Sequence, residues 1–228
     1  MKTYTIKITL KSPCLIGSGE GFGAVIDSDI VFDDLGIPYI PSKRIKGCLR
    51  DSAIEVCEMF ESSQINLIDL TKDNQKNGYQ IVSAIFGNPG DDKPAPVFFS
   101  NLTIEGYGVI TEGLHYLISI SSSIINRESI INQYTELRQQ TAIDETKGVA
   151  KEHSLRTIRV AKKGLIFEGT IDFDEDNDEW LTLLFFACKN FRFMGTKRNR
   201  GFGAIECRLF EDSREINLID RLEALCRQ

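Results

Sequence analysis

Residues 179–210, EWLTLLFFACKNFRFMGTKRNRGFGAIECRLF, change character twice. The part from 179 to 193 is apolar almost throughout and predicts a helix buried over most of its circumference. GAIECRLF, at 203–210, alternates apolar and polar residues and predicts a strand. Between them, GTKRNRGFG (195–203) sets Lys197, Arg198 and Arg200 between Gly195 and the Gly201/Gly203 pair, where the chain must turn.

Outward from this unit, TYTIKITL (3–10) has period two, which puts Tyr4, Ile6, Ile8 and Leu10 on one face of a strand. The glycine-rich GSGEGFG (17–23) leads to a second expected strand, AVIDSDIVF (24–32), and the turn DDLG. Ser42 is a candidate N-cap for a helix from Lys43 to about Phe60. YQIVSAIFG (79–87) predicts a short helix, and PVFFSNLTI (96–104) and HYLISISSS (115–123) predict strands. A helix is expected at 124–139 and a projecting polar loop at 141–154. LRTIRVA and LIFEGTIDF, split by KKG, read as a hairpin in which Arg156 and Arg159 point to opposite faces. A terminal helix is expected at about 215–226. This order predicts an α+β fold, an antiparallel sheet with helices on one face built on a ferredoxin-like core. Connections of this length do not demand more than one domain across 1–228.

Composition narrows the function. The net charge of −6 argues against nucleic-acid binding by bulk charge, yet cations gather at 43–50, 151–163 and 189–200. The six cysteines (Cys14, Cys48, Cys57, Cys188, Cys207, Cys226) include no C-x-x-C pair, and only His115 and His153 could join them, so buried reduced thiols are expected and zinc is not. No apolar run approaches bilayer-crossing length, and the N-terminus lacks the continuous apolar stretch of a secretory signal. A cytoplasmic protein without a membrane partner is expected.

The glycine loops exclude one chemistry. GSGEGFG lacks the Lys-Ser/Thr of a P-loop, and Phe22 breaks G-x-G-x-x-G, so no nucleotide cofactor is expected. GTKRNRGFG fits a loop whose backbone and guanidinium forks grip a sugar-phosphate chain; it also fits a surface turn with solvated cations. IPSKRIKGCLR brings Lys43, Arg44, Lys46 and Arg50 to a helix N-terminus, where free N–H groups and positive potential suit a phosphate; an amphipathic helix with a basic outer face has the same pattern.

Five segments in order carry a resemblance: IGSG…G…ID (16–27), GIPYIPSKRIKGCLR (36–50), IFG (85–87), TAIDETKGVAKE (141–152) and GTKRNRGFG (195–203). Together they resemble the RAMP superfamily, the RNA-binding subunits of type III CRISPR interference complexes, over about residues 4 to 210. The resemblance implies a modified RNA-recognition-motif core with an inserted thumb, here at about 138–160, and a C-terminal glycine-rich loop. It implies guide RNA, target RNA, other type III effector subunits and further copies of the chain as partners. Lys43 and Arg44 depart from the family, which usually has small hydroxyl or glycine residues there.

On the family pattern the thumb would supply Ala142, Ile143 and Val149 as an apolar wedge between guide and target, with Thr141, Lys147 and Lys151 on phosphate. Arg138 at the thumb's root and Gly195, Lys197, Arg198, Arg200 and Gly201 in the loop complete the expected RNA contacts. Asp27 falls where the family's nuclease subunits carry an aspartate for divalent-metal-dependent cleavage of target RNA. With Mg²⁺ or another divalent cation it would act at the scissile phosphate, most of the coordination coming from elsewhere. Two alternatives remain: a subunit that grips guide RNA without cutting, and a guide-processing endoribonuclease using His153. A scaffold with no RNA role fits the net charge but leaves the basic clusters unexplained.

Overall fold

The computed structural model describes residues 1–17, 26–65, 78–88, 95–121, 125–143 and 148–226. Strand β1 (Lys2–Leu10) is the centre of the sheet because its alternation suits a strand with one dry face. Tyr4, Ile6, Ile8 and Leu10 are at most 1% exposed, while Thr3, Thr5, Lys7 and Thr9 face the other way. Helix α1 (Ser42–Ser62) follows, then α2 (Gly78–Phe86), β2 (Val97–Phe99) and β3 (Thr103–Ile104). Next come α3 (Tyr107–Ser121), α4 (Arg127–Tyr134), β4 (Thr135–Gln140), β5 (Arg156–Ala161) and β6 (Ile166–Phe173). Helix α5 (Asp178–Asn190), β7 (Ile205–Glu211), β8 (Arg214–Glu215) and α6 (Ile219–Cys226) complete the chain.

The main sheet has the antiparallel order β2-β6-β1-β7-β8, with β3 also on β6. Strands β1, β2, β6 and β7 with helices α1 and α5 therefore form the βαββαβ arrangement of a ferredoxin-like core. The two helices pack against each other and against the sheet's dry face, where Tyr4, Phe173 and Trp180 make edge-to-face contacts at 4.9 and 5.7 Å. Asn177 caps α5 by accepting from the Glu179 and Trp180 N–H groups, and Asp178, Glu179 and Lys189 lie at the ends that suit their charge. The expected buried thiols are found for the five cysteines whose side chains are described: Cys48 is half-buried and the rest are buried. No helix among the described residues is long and apolar enough to cross a membrane.

Several expectations are corrected. Residues 26–32 are extended but form only separate bridges, Gly17 to Ile30, Ser28 to Ile158 and Phe32 to Pro38. Residues 96–104 are split into β2 and β3, both on β6. The expected strand 115–123 falls largely within α3, because Tyr107, Ile110, Leu114 and Ile118 recur at helical spacing and pack on the core. The helix expected at 124–139 stops at Tyr134 and continues as β4. β5 and β6 do not form a hairpin: β5 pairs with β4 in a separate two-stranded ribbon, and β6 pairs with β1. Ser42 is the first helical residue, and no side chain of its own segment caps α1; its N–H donates to Asn101 Oδ1 at 2.8 Å. Helix α5 ends at Asn190 because the chain beyond it becomes extended, Ile205 N–H donating to Arg192 O and Met194 N–H to Gly203 O.

Candidate nucleic-acid interface

The arm 192–194 and its partner 203–205 hold the cationic loop as a hairpin tip. Two glycines make this geometry possible. A Cβ on Gly203 would lie 2.0 Å from Met194 O, and one on Gly195 would lie 2.5 Å from Leu15 O. Both also have positive φ, +77° and +85°. Gly195 is thus a packing residue, its neighbour Thr196 donating to Leu15 O at 3.2 Å. Gly201 has φ +81° with open space around it. Between them, Lys197 adopts the left-handed conformation (φ 61°), Arg198–Arg200 form a single 3-10 turn, and Arg200 N–H donates to Lys197 O.

Opposite the loop stands the β4/β5 ribbon, in register from Thr135↔Ala161 to Gln140↔Arg156. Beyond its end, Ser154 Oγ gathers the strands together: it lies 2.7 Å from Thr141 Oγ1, accepts from Ala142 N–H at 3.1 Å and donates to Lys151 O at 2.6 Å. Ile143, Val149 and Leu155 are 68%, 56% and 65% exposed, an apolar tip carried into solvent. Lys147, expected on phosphate, lies outside the described residues.

Ribbon and loop enclose a cavity of about 940 Å³. Its wall includes seven of the expected contact residues, Thr141, Ala142, Lys151, Gly195, Lys197, Arg198 and Arg200. It also includes Gln140, Glu152, His153, Ser154, Arg156 and Thr196, so five cations share the wall with one carboxylate. Lys197 Nζ donates to Gln140 Oε1 at 2.7 Å, tying loop to ribbon. Burial, Arg200 and Arg156 hold the Lys197 pKa below the ordinary lysine value, with Asp27 pulling the other way. A group of cations held together without enough counter-charge is a site for an anion with several oxygens.

Not every predicted cation joins it. Arg44 lines neither this cavity nor the smaller one beside it; its charge, with that of Arg198, lowers the pKa of the Cys48 thiol, which burial and Asp51 raise. Lys43, Lys46 and Arg50 occupy another side of α1 and line neither this cavity nor the smaller one beside it. Arg138 is turned onto Glu136, donating to Oε1 at 2.9 and 2.7 Å. The alternation of β5 separates its two arginines: Arg156 lines the cavity, whereas Arg159 donates to Asp29 Oδ2 at 2.7 Å in a pair 13% and 9% exposed.

Asp27 stands beside this cluster. It pairs with Thr157 at both ends, its N–H donating to Thr157 O at 2.9 Å and its Oδ2 accepting from Thr157 N–H at 2.8 Å. Asp29 does not share its face as a regular strand would require, and Asp33 accepts from Ile37 N–H and Tyr107 Oη. Among the described residues no three His, Cys, Asp or Glu side chains form a metal-binding group. A divalent cation at Asp27 would find this one carboxylate as its ligand among the described residues, and a hydrated Mg²⁺ is the ion whose coordination accepts so few protein ligands.

The chain matches the family model of the RAMP superfamily over residues 7–206. It belongs to the RAMP superfamily. The RAMP fold here is similar to that of a chain in the apo state of Type III-B Cmr-beta, with TM-score 0.64 and 15% identity over 92% of this chain and 98% of that one. A chain of Type III-B Cmr-beta bound to cognate target RNA gives TM-score 0.63 and 14% identity, over 97% and 99%. No curated protein matches the sequence.

In ordinary RNA-recognition motifs the open face of the sheet stacks bases on aromatic residues. In this RAMP chain that face is a mosaic of ion pairs, Lys7 with Glu105 and Glu168, Lys11 with Glu206, and Arg208 with Glu206 and Glu215. Its carboxylates outnumber its cations, so it repels phosphate. The cationic groove lies away from it, where ribbon and loop meet.

Proposed function

We propose that the chain is a guide-RNA-binding subunit of a type III CRISPR interference complex that cleaves paired target RNA through Asp27. The observation that carries the reading is the convergence of Lys151, Arg156, Lys197, Arg198 and Arg200 on one cavity between ribbon and glycine loop. Membership of the RAMP superfamily supports it, as does the fold shared with subunits of Type III-B Cmr-beta, one of them from a structure with cognate target RNA. The cations grip phosphates without reading bases, which suits a protein whose specificity comes from guide pairing. The exposed apolar tip at Ile143 and Val149 is placed to slip between paired strands.

In cleavage, Thr157 N–H fixes one oxygen of Asp27, and the other is the one that would act on substrate. Lys197, Arg156 and Arg200 hold the phosphate and offset the charge that develops on it. Asp27 would hold a divalent cation jointly with that phosphate, and such an ion supplies Lewis-acid stabilisation. The second reading, a subunit that binds guide RNA without cutting, is favoured by the same Asp27–Thr157 pairing, which gives the carboxylate a structural task. Asp27→Ala in the assembled complex decides between them. Loss of target cutting with guide binding intact supports catalysis; retained cutting assigns Asp27 to the fold.

A further inference from the structure

A strand laid along residues 195–200 must put its bases somewhere, and on the far flank of the loop a second cavity opens. It measures about 220 Å³, shares Gly195 and Arg198 with the larger one, and adds Phe193, Asp51, Glu55 and Asn190. Its volume suits a single planar ring system.

Phe193 is held out by backbone alternation. Its neighbour Met194 is 1% exposed, so Phe193 faces outward at 47% exposure, a flat apolar surface beside Arg198. Nucleobases stack on such surfaces whatever their identity.

The floor comes from α1, where Arg44, Cys48, Asp51 and Glu55 recur at i, i+4, i+7 and i+11 and so share one stripe toward the loop. Asn190 Nδ2 donates to Glu55 Oε2 at 2.8 Å and to Ser52 Oγ at 3.1 Å, and Ser52 Oγ in turn donates to Ala187 O at 2.8 Å. Both amide hydrogens of Asn190 are thereby spent, leaving its carbonyl oxygen as an acceptor. The Asp51 carboxylate has no hydrogen-bond partner among the described residues. Carboxylate and amide oxygens thus line the floor, where they accept from exocyclic amino groups, while Arg192 and Arg198 line the walls beside Phe193.

We propose that this cavity is a nucleobase subsite in which one base of the bound strand stacks on Phe193 and offers its amino edge to Asp51 and Glu55. Cytosine, adenine and guanine carry such an amino group; uracil presents two carbonyls flanking one N–H and is disfavoured. The inference rests on the RNA-binding reading above and adds a base preference to it.

The test measures affinity of the full chain for oligoribonucleotides of cytidine, adenosine and uridine, and for an abasic ribose-phosphate chain of equal length, across a salt series. The expected result is binding of oligocytidine and oligoadenosine about tenfold tighter than oligouridine. Phe193→Ala should remove about tenfold from the cytidine and adenosine complexes, spare the abasic chain and leave the salt slope unchanged, and Phe193→Trp should restore the loss. Asp51→Asn with Glu55→Gln should level cytidine and uridine. Equal affinities in the wild type, or an equal loss on the abasic chain, would overturn the subsite while leaving RNA binding in place. Absence of salt-dependent binding to every oligomer would overturn the RNA-binding reading, and the subsite with it.

Discussion

Lys197 Nζ donates to Gln140 Oε1 across 2.7 Å, joining two residues 57 apart in sequence and pinning the glycine loop to the outer end of the ribbon. The acceptor is neutral, so the ammonium is placed without being neutralised. Gln140→Leu keeps the size of the side chain and removes the acceptor. It should lower stability by about 1 kcal/mol in urea titrations and weaken RNA binding by freeing the loop. Lys197→Ala should reduce the slope of log affinity against log salt by about 1, uniformly across RNA sequences.

Affinity should depend on pH through the same residue. Burial and the neighbouring arginines disfavour the ammonium, so the folded pKa lies below the unfolded one. Protonated Lys197 costs folding stability at neutral pH, and that cost is relieved as pH rises through the folded value. Phosphate has the opposite effect and favours the charged form, so binding takes up a proton once the free side chain begins to titrate. Affinity should fall as pH climbs toward the ordinary lysine value of 10.5. Lys197→Arg, charged throughout, should flatten the profile measured by fluorescence anisotropy.

The glycines of the loop should separate by space rather than by dihedral. Gly195→Ala meets both a positive φ and Leu15 O at 2.5 Å, and should cost about 2–4 kcal/mol with a visible loss of RNA binding. Gly201→Ala meets the same class of φ in open space and should cost only about 1 kcal/mol. Equal urea midpoints for the two variants would contradict the packing of Gly195 on residue 15.

The sequence was most readable where one periodicity ruled a segment. β1 and α5 announce themselves because their apolar residues answer to a single buried face or a fully buried helix. Helix α3 misleads because apolar side chains lie on two of its sides: Ile110, Leu114 and Ile118 pack on the core, while Val109, Tyr116, Leu117 and Ile120 are exposed, and together they imitate alternation. β4, TELRQQ, has a single apolar residue, Leu137, and that one is exposed; only its pairing with β5 makes it a strand. In the site, glycine and charge marked the two segments, 141–154 and 195–203, whose residues line the cavity. Which cations converge was set by helical angle on α1 and by strand register on the ribbon, and Gln140 and Ser154 carry no charge that could have marked them.

The two arginines of β5 should part company under mutation, because one serves the ligand and the other the fold. Arg156 lines the cavity and weighs on Lys197 through its charge, so Arg156→Ala should weaken RNA binding and lower its salt slope with urea stability nearly unchanged. Arg159 is paired with Asp29 where both side chains are nearly out of solvent, and Arg159 also lies 5.9 Å from the centre of the Phe32 ring. Removing it takes the guanidinium away from a buried carboxylate, which should cost about 3 kcal/mol. Because Ser28 O accepts from Arg159 N–H, the loss would loosen the segment that carries Asp27 as well. Arg159→Ala with Asp29→Asn removes both charges and should recover part of the stability, as read by urea titration. If Arg159→Ala leaves stability untouched and instead abolishes RNA binding, the division of labour set by strand alternation is wrong.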